Sequence, residues 1–184
     1  MEYELIRSDR RTIAAQIKDG RLIVRAPRRA SEREIRLFLD ENADRIGKHL
    51  EKAREREKAK AGVRRLTDAE LSALKKRAEE VIPERARHYA PLVGVTFGRI
   101  TIRRMKTRWG SCTSKGDLTF NSLLMLAPDE VVDSVVVHEL CHRRVMDHSR
   151  AFYNEVLRVF PEYRKHNKWL KENGDLLTAA AERE

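Results

Sequence analysis

The sequence has 184 residues, enough to bury a hydrophobic core in one domain with a small satellite unit. Its 39 Lys and Arg against 29 Asp and Glu give a net charge of +10, which makes an anionic partner such as nucleic acid a hypothesis to weigh. It contains no apolar run long enough to span a membrane, no apolar segment of a signal peptide at its start and only two, widely separated cysteines. We therefore expect a cytoplasmic protein with reduced cysteines and no membrane partner.

Residues 1–62 predict an N-terminal antiparallel β-hairpin sheet followed by a helical arm. Stretches rich in β-branched residues indicate strands, and Asp19-Gly20 between two of them is a strong hairpin signal. Ser31 and Glu34 form a capping-box pattern that predicts a helix start. The following residues alternate acids with bases at helical spacing, which is typical of an exposed, solvated helix.

Residues 63–184 predict a second unit that begins with a helix capped by Thr67. We expect Pro83 to bend or interrupt this helix, and residues 99–105 to form a strand. A hairpin-like segment should follow, with 107–117 as its irregular part and 118–126 as its return. The fold class is therefore α+β.

A buried helix is predicted over residues 127–144, because Pro128 suits its first position and two acids follow in its first turn. Ser149 is expected to cap the next helix, and Pro161 to start another that ends near Gly174. The tail, residues 178–184, is expected to fray.

The predicted buried helix carries His138, Glu139 and His142 within an apolar run. Buried polar groups need partners, and histidines four residues apart on a helix share a face, so both imidazoles can reach one metal ion. This is the H-E-x-x-H arrangement, in which two histidines bind zinc and the glutamate handles the proton of the attacking water. The alternative is that the histidines are ordinary hydrogen-bonded core residues.

A catalytic zinc needs a third protein ligand and an open position. His148 follows His142 at the interval found in H-E-x-x-H-x-x-G-x-x-H, although Val145 stands where that motif has its glycine. Glu155 and Glu162 are the alternatives, because some H-E-x-x-H enzymes take a glutamate from the following helix. We predict His148 as the third ligand.

Residues 103–125, RRMKTRWGSCTSKGDLTFNSLLM, together with the H-E-x-x-H segment and the HSRAF that follows it, resemble the YgjP-like metallopeptidase family of bacterial and archaeal proteins. The resemblance extends to DGRLIVRAP and KWLKENG near the two ends of the chain. It implies a zinc-dependent peptidase with a zincin-like unit over 63–184, in which a small sheet lies over the active-site helix. It also implies His148, in the His-Ser segment, as the third ligand; many relatives have a further, dispensable histidine near Val145.

The resulting hypothesis is a peptidase that acts on a peptide or protein substrate, with one zinc ion per chain and Glu139 as general base. Arg108 and Trp109 are candidate substrate-binding residues, although Trp109 could equally be a core anchor. The candidate donors for oxyanion stabilisation are Arg108, Tyr153, Tyr163 and His166. The alternative function is a nucleic-acid-associated binding module with a structural zinc, which the net charge and the basic arm suggest.

Overall fold

The chain divides into two compact units, Met1–Val63 and Arg64–Glu184, each with its own hydrophobic core. The computed structural model describes residues 2–182. Both units contain helices and strands, so the expected mixed α and β class is confirmed. Within residues 2–182 no helix combines the length and the apolar character needed to cross a membrane.

The amino-terminal unit is a three-stranded sheet with two helices. Its elements in chain order are β1 (Glu4–Ser8), β2 (Ala14–Lys18), β3 (Arg21–Pro27), α1 (Glu32–Glu41) and α2 (Ala43–Ala61). The hairpin between β2 and β3 is confirmed, because Asp19 and Gly20 both have positive φ, at 49° and 70°, as a two-residue turn of this kind requires. The capping box is confirmed too, since the Ser31 hydroxyl accepts from Glu34 N at 3.2 Å and Glu34 Oε2 accepts from Ser31 N at 2.7 Å.

The prediction of a wholly antiparallel sheet was wrong. The strand order is β1-β3-β2, and β1 runs parallel to β3. Alternating β-branched residues indicate a strand but not its partner, and β1 pairs with the strand after its sequence neighbour. The apolar faces of the sheet and helices meet in a small core, formed by Leu22, Val24, Ala26, Ile35, Leu39, Ile46 and Leu50.

The second unit consists of a second three-stranded sheet and the helices that accompany it. Its elements are α3 (Asp68–Val93), β4 (Ile100–Arg103), β5 (Gly110–Cys112), β6 (Leu118–Asn121), a 3₁₀ helix (Ser122–Leu126), α4 (Asp129–Cys141), α5 (Arg150–Val159) and α6 (Tyr163–Ala179). The middle strand is β6, which pairs parallel with β4 and antiparallel with β5. Strand β5 is therefore an edge strand, and it packs against α4.

The segment predicted as irregular, residues 107–117, contains β5, so that prediction was wrong in part. The strand is only three residues long and begins with Gly110, so it shows no alternation of apolar and polar residues. Its pairing with β6 is what defines it. The turn that joins them includes Gly116 at φ 94°, a conformation that favours glycine.

Helix α3 continues through Pro83, so of the two expected outcomes, a bend or an interruption, the interruption is wrong. Its buried face continues on both sides of the proline, with Ile82 and Ala86 fully buried in the core. Packing of this face against α4 therefore outweighs the loss of one backbone hydrogen bond. The helix starts after Thr67, which is the predicted N-cap and forms a capping box with Glu70. It ends at Gly94, which has φ 78°.

The carboxyl-terminal segment is more ordered than the sequence suggests. Helix α6 continues past Gly174 to Ala179, and residues Ala179–Ala181 are buried. The Ala179 and Ala181 carbonyls accept hydrogen bonds from Arg65 and Arg104. The predicted fraying is therefore wrong for residues 178–182, while 183–184 lie outside the described residues. Ser149 occupies the N-cap position of α5, but its side chain makes no capping hydrogen bond.

Candidate metal centre

Three imidazoles converge at the carboxyl end of α4. His138 lies in the last turn of the helix, His142 is its C-cap residue and His148 lies in the loop before α5. His138 Nε2 is 3.2 Å from His142 Nε2 and 3.1 Å from His148 Nε2. Zinc–nitrogen bonds of about 2.0–2.1 Å in a tetrahedron place the nitrogens about 3.3–3.4 Å apart. The two distances from His138 are close to this value, and all three donor atoms lie within 4.8 Å of one another, so the group could hold one ion.

Hydrogen bonds at the opposite ring nitrogens orient the two helical histidines. His142 Nδ1 is 3.1 Å from the Val145 carbonyl oxygen, which can only accept, so Nδ1 carries the proton and Nε2 is left with a free lone pair. His138 Nδ1 is 2.8 Å from the Tyr163 hydroxyl oxygen. Metal-binding histidines usually donate their other ring N–H to such a partner, which fixes the ring orientation.

Burial keeps these imidazoles neutral, the form that binds metal. Loss of hydration lowers the pKa of His138 to about 3, and the nearby His142 and His148 rings lower it further by repelling a second positive charge. Burial also lowers the pKa of His142. The neutral form of His138 and His142, which is the form that binds metal, is therefore favoured at neutral pH.

The two glutamates considered as the third ligand are engaged elsewhere. Glu155 Oε2 lies 3.0 Å from Arg158 Nη2 and 3.3 Å from Arg144 Nε. Glu162 pairs with Lys165 at 3.3 Å. Among residues 2–182, the group of potential metal-binding side chains that comes together consists of the three histidines, whose donor atoms lie within 4.8 Å of one another.

Glu139 lies beside His138 on α4 and is only 5% exposed. Burial raises the pKa of its carboxyl to about 8, against the opposing attraction of the Arg108 guanidinium. The side chain packs directly on the backbone of β5, because a Cβ added at Gly110 would lie 2.6 Å from both Glu139 Cγ and Oε1. Sequence reasoning missed this role of Gly110, for which a glycine inside a strand is the available signal.

These groups line one cleft of about 550 Å³. Its walls come from the segment that leads into β5, from β5 itself, from α4 and the loop after it, and from α6. The lining residues are Thr107, Arg108, Trp109, Gly110, Ser111, Cys112, Ser134, Val135, His138, Glu139, His142, Met146, His148, Tyr163, Asn167 and Leu170. The structure therefore brings the three candidate ligands together with Glu139, Arg108 and Trp109 in one cleft.

The cleft wall that carries Arg108 and Trp109 is held by a residue that the sequence did not single out. Asn121, 1% exposed at the end of β6, donates from Nδ2 to the carbonyls of Met105 at 2.8 Å and Arg108 at 3.0 Å. Its backbone N–H donates to the Trp109 carbonyl at 2.9 Å. Trp109 lines the cleft and also packs on α6, where a Cβ added at Gly174 would lie 2.9 Å from Trp109 Cζ2.

Comparison with known proteins bears directly on this site. Residues 64–173 match the family described as YgjP-like, metallopeptidase domain, which is more than half of the chain. The chain belongs to the YgjP-like family. The match includes the whole cleft, and the resemblance noted in the sequence is confirmed there; residues 1–63, with the hairpin segment DGRLIVRAP, lie outside the matched range. This YgjP-like protein is an enzyme of the metallopeptidase class.

Two solved structures are similar to this YgjP-like chain. One is the metallopeptidase zymogen of Pyrococcus abyssi abylysin, with 22% identity and a TM-score of 0.45, covering 50% of this chain and 94% of that one. The other is the metallopeptidase zymogen of Methanocaldococcus jannaschii jannalysin, with 19% identity and a TM-score of 0.45, covering 50% of this chain and 95% of that one. No curated protein matches the chain.

Of the four candidate oxyanion donors in this YgjP-like enzyme, Arg108 and Tyr163 line the cleft. Burial, together with the neighbouring Tyr153 and Glu139, raises the pKa of Tyr163, so its hydroxyl stays protonated. The Tyr153 ring lies against His148, with ring centroids 6.3 Å apart, and is not part of the cleft lining. His166 is buried beside Glu162, 3.5 Å from its carboxylate, and is also absent from the lining.

The two cysteines are unpaired, as expected. Cys141 is fully buried in the core, and burial raises the pKa of its thiol to about 12. It therefore behaves as a small apolar residue and does not offer a thiolate. Cys112 lines the cleft, where burial and the nearby Glu139 raise the pKa of its thiol.

Proposed function

We propose that this enzyme hydrolyses peptide bonds with one zinc ion per chain, held by His138, His142 and His148, and with Glu139 as general base. The observation that carries the proposal is the meeting of three imidazole Nε2 atoms beside a buried carboxylate in one cleft. Under this proposal residues 63–184 form a zincin-like catalytic unit, and residues 1–62 form a separate sheet with its helical arm.

The donor set supports zinc. Three neutral imidazoles are borderline ligands that suit this ion, and three protein ligands leave a coordination position open for chemistry. A bound zinc would polarise the peptide carbonyl and lower the pKa of a water molecule to about 7. Tyr163 and the Val145 carbonyl keep the His138 and His142 rings oriented toward the ion.

Glu139 moves the proton in this proposal. Its carboxylate accepts a proton from the attacking water and later gives it to the leaving amine. Burial raises the pKa of this carboxyl, so its ionised form is a stronger base than an exposed glutamate, and the positive charge of a bound zinc would favour that ionised form. The Gly110 backbone fixes where this carboxylate sits, and Arg108 and Trp109 contact the substrate from the same wall.

The decisive experiment distinguishes the role of Glu139 in catalysis from the role of the histidines in metal binding. Glu139→Gln keeps the size of the side chain but cannot accept the proton, so zinc content should stay near one per chain while cleavage of a mixed peptide library falls by about a hundredfold or more. Glu130→Gln, an exposed position in the first turn of the same helix, is the matched control and should leave both values unchanged. Turnover at the wild-type level in Glu139→Gln would contradict the proposal.

The alternative, a nucleic-acid-associated module with a structural zinc, needs a closed site with four protein ligands. The hydrolase is favoured because the donor group found in residues 2–182 contains three side chains and opens onto a cleft. If the positive net charge reflects a nucleic-acid-binding surface, DNA binding should weaken steeply as the salt concentration rises. Absence of DNA binding at low salt would remove this alternative.

A further inference from the structure

The segment that enters the cleft wall is strongly basic. Residues 103–108, RRMKTR, include four cationic side chains and no acid. All four are exposed, and Arg104 also donates to the Ala181 carbonyl at 3.0 Å. Of these, Arg108 is the one that lines the cleft. The cleft therefore presents a solvent-accessible guanidinium beside the proposed zinc site.

None of the acidic residues described around the cleft forms an ion pair with the Arg108 guanidinium. Glu139, the one carboxylate among the lining residues, is 5% exposed and packed on Gly110. Outside the lining, Asp147 accepts from Ser149 N at 3.0 Å, and Glu155 is paired with two arginines. In the part of the chain that the structure describes, Arg108 has no carboxylate within 4.0 Å. A substrate carboxylate would therefore meet an exposed guanidinium whose electrostatic partner among the lining residues, Glu139, is buried.

The base of the Arg108 side chain is fixed, which suits a specificity role. Its carbonyl accepts from Asn121 at 3.0 Å, and the carbonyl of the next residue, Trp109, accepts from the Asn121 backbone at 2.9 Å. The Trp109 ring is in turn packed on α6 at Gly174. A guanidinium that extends from such an anchored backbone can bind a carboxylate through two parallel hydrogen bonds with little loss of backbone freedom.

We propose that the cleft selects peptides with an acidic side chain next to the scissile bond, and that Arg108 binds this carboxylate. This inference rests on the proposed function and names its substrate class. Arg103 and Lys106, exposed residues of the same segment, would add to the positive potential of this surface and speed the approach of acidic peptides.

The test compares matched peptides on the same zinc-loaded enzyme. Pairs that differ only in Glu against Gln, or Asp against Asn, beside the scissile bond are compared by kcat/KM. The wild type should favour the acidic member by about tenfold, as expected for a hydrogen-bonded charge pair. The ratio cancels any effect of Arg108 on Glu139, because both peptides meet the same base.

Variants at Arg108 should change this ratio in graded steps. Arg108→Gln should bring it to about one, Arg108→Lys should keep part of it, and Arg108→Glu should favour a Lys peptide over the Glu peptide. Arg103→Gln is the matched control, exposed on β4 and outside the cleft lining, and should keep most of the preference. A preference that persists in Arg108→Gln, or no preference in the wild type, would overturn the inference.

A binding assay distinguishes failure of this inference from failure of the proposed function. Fluorescently labelled members of each pair are bound to zinc-loaded Glu139→Gln, with and without Arg108→Gln. Acid-selective binding that depends on Arg108, without cleavage of any peptide by the wild type, would contradict the proposed function but support the carboxylate site. Cleavage without charge preference would contradict this inference alone. Arg108-dependent binding of a single-stranded oligonucleotide, with equal binding of paired peptides, would assign Arg108 to nucleic acid and overturn it.

Discussion

Among residues 2–63, in the amino-terminal unit, the residues that are buried as a whole are all apolar, whereas the second unit also buries polar ones. These are Asn121, Ser122, Ser134, Glu139, His142 and His166. The sheets have the same arrangement, a central strand with one parallel and one antiparallel neighbour. The topology of the sheet therefore does not distinguish the two units; the groups packed against it do.

Burial of polar groups lowers stability unless each group has a partner. In the second unit, buried polar side chains have hydrogen-bond partners. Asn121 makes hydrogen bonds with the cleft wall, and His142 makes one with the Val145 carbonyl. Glu139 is instead held at a raised pKa in a tightly packed position. The comparison predicts that substitutions at these positions affect metal binding and chemistry, while matched changes in the first unit affect stability at most.

The largest effect is expected for His138→Ala. Removal of one of three ligands should weaken zinc binding by about 4 kcal/mol, roughly a thousandfold. The measurement is zinc stoichiometry by elemental analysis together with affinity from competition with a chelating dye. His49→Ala, an exposed histidine in the first unit, should leave the affinity unchanged, and equal losses in both variants would refute the ligand assignment.

The next largest effect concerns the stability of the zinc-free protein as a function of pH. The Glu139 pKa is raised from 4.5 to about 8 in the folded state, so the folded state holds its proton where the unfolded chain has lost it. The protonated Glu139 therefore contributes to the free energy of unfolding, and this contribution is fully present below pH 4.5 and is lost as the pH rises toward 8. Since one pKa unit corresponds to about 1.4 kcal/mol, the free energy of unfolding lost over this pH range should be about 3–5 kcal/mol.

Glu139→Gln removes this titration and leaves the histidines in place. The free energy of unfolding of the variant, measured with urea in the presence of a chelator, should therefore rise relative to the wild type between pH 4.5 and 8. A difference that stays constant over this range would show that the carboxyl has an ordinary pKa.

A smaller effect is expected for Gly110→Ala. The added Cβ would lie 2.6 Å from Glu139 Oε1, so the carboxylate must move, and a displacement of about 1 Å can cost about a hundredfold in rate. Zinc content should stay near one per chain. The matched variant Gly47→Ala, in α2 with open space around the position, should instead stabilise the protein by about 0.5–1 kcal/mol. Unchanged peptidase activity in Gly110→Ala would show that the β5 backbone does not fix the base.

The smallest effect is expected for Tyr163→Phe, which keeps the ring that stacks on His138 and removes the hydroxyl 2.8 Å from His138 Nδ1. Loss of such a partner typically weakens metal binding by about 10- to 100-fold, and we expect the lower end because His142 and His148 remain. Tyr153→Phe, whose ring lies beside Tyr163 without a hydrogen bond to His138, is the control. Equal zinc affinity in wild type and Tyr163→Phe would exclude the orienting role.

The sequence predicted features that depend on neighbours along the chain. The capping box at Ser31, the N-cap at Thr67 and the Asp19-Gly20 hairpin are local hydrogen-bond and dihedral patterns, and each is present. The helix that leads to His138 and His142 was predicted from local signals too, namely Pro128 at its first position and the two acids that follow.

Features that depend on distant contacts could not be predicted in this way. The parallel pairing of β1 with β3 and the three-residue β5 are defined by their partners, and α3 continues through Pro83 because of its packing. The contributions of Gly110 and Asn121 to the cleft depend on residues 29 and 13 positions away, Glu139 and Arg108. A single sequence carries no signal that links such pairs.

The most direct test of the central claim is a crystal structure of the zinc-loaded protein. We predict one zinc ion bonded to Nε2 of His138, His142 and His148, with its fourth position open to the cleft and Glu139 facing that position without bonding to the metal. A zinc ion closed by a fourth protein ligand, or one bound by Glu155 or Glu162 in place of His148, would contradict the account.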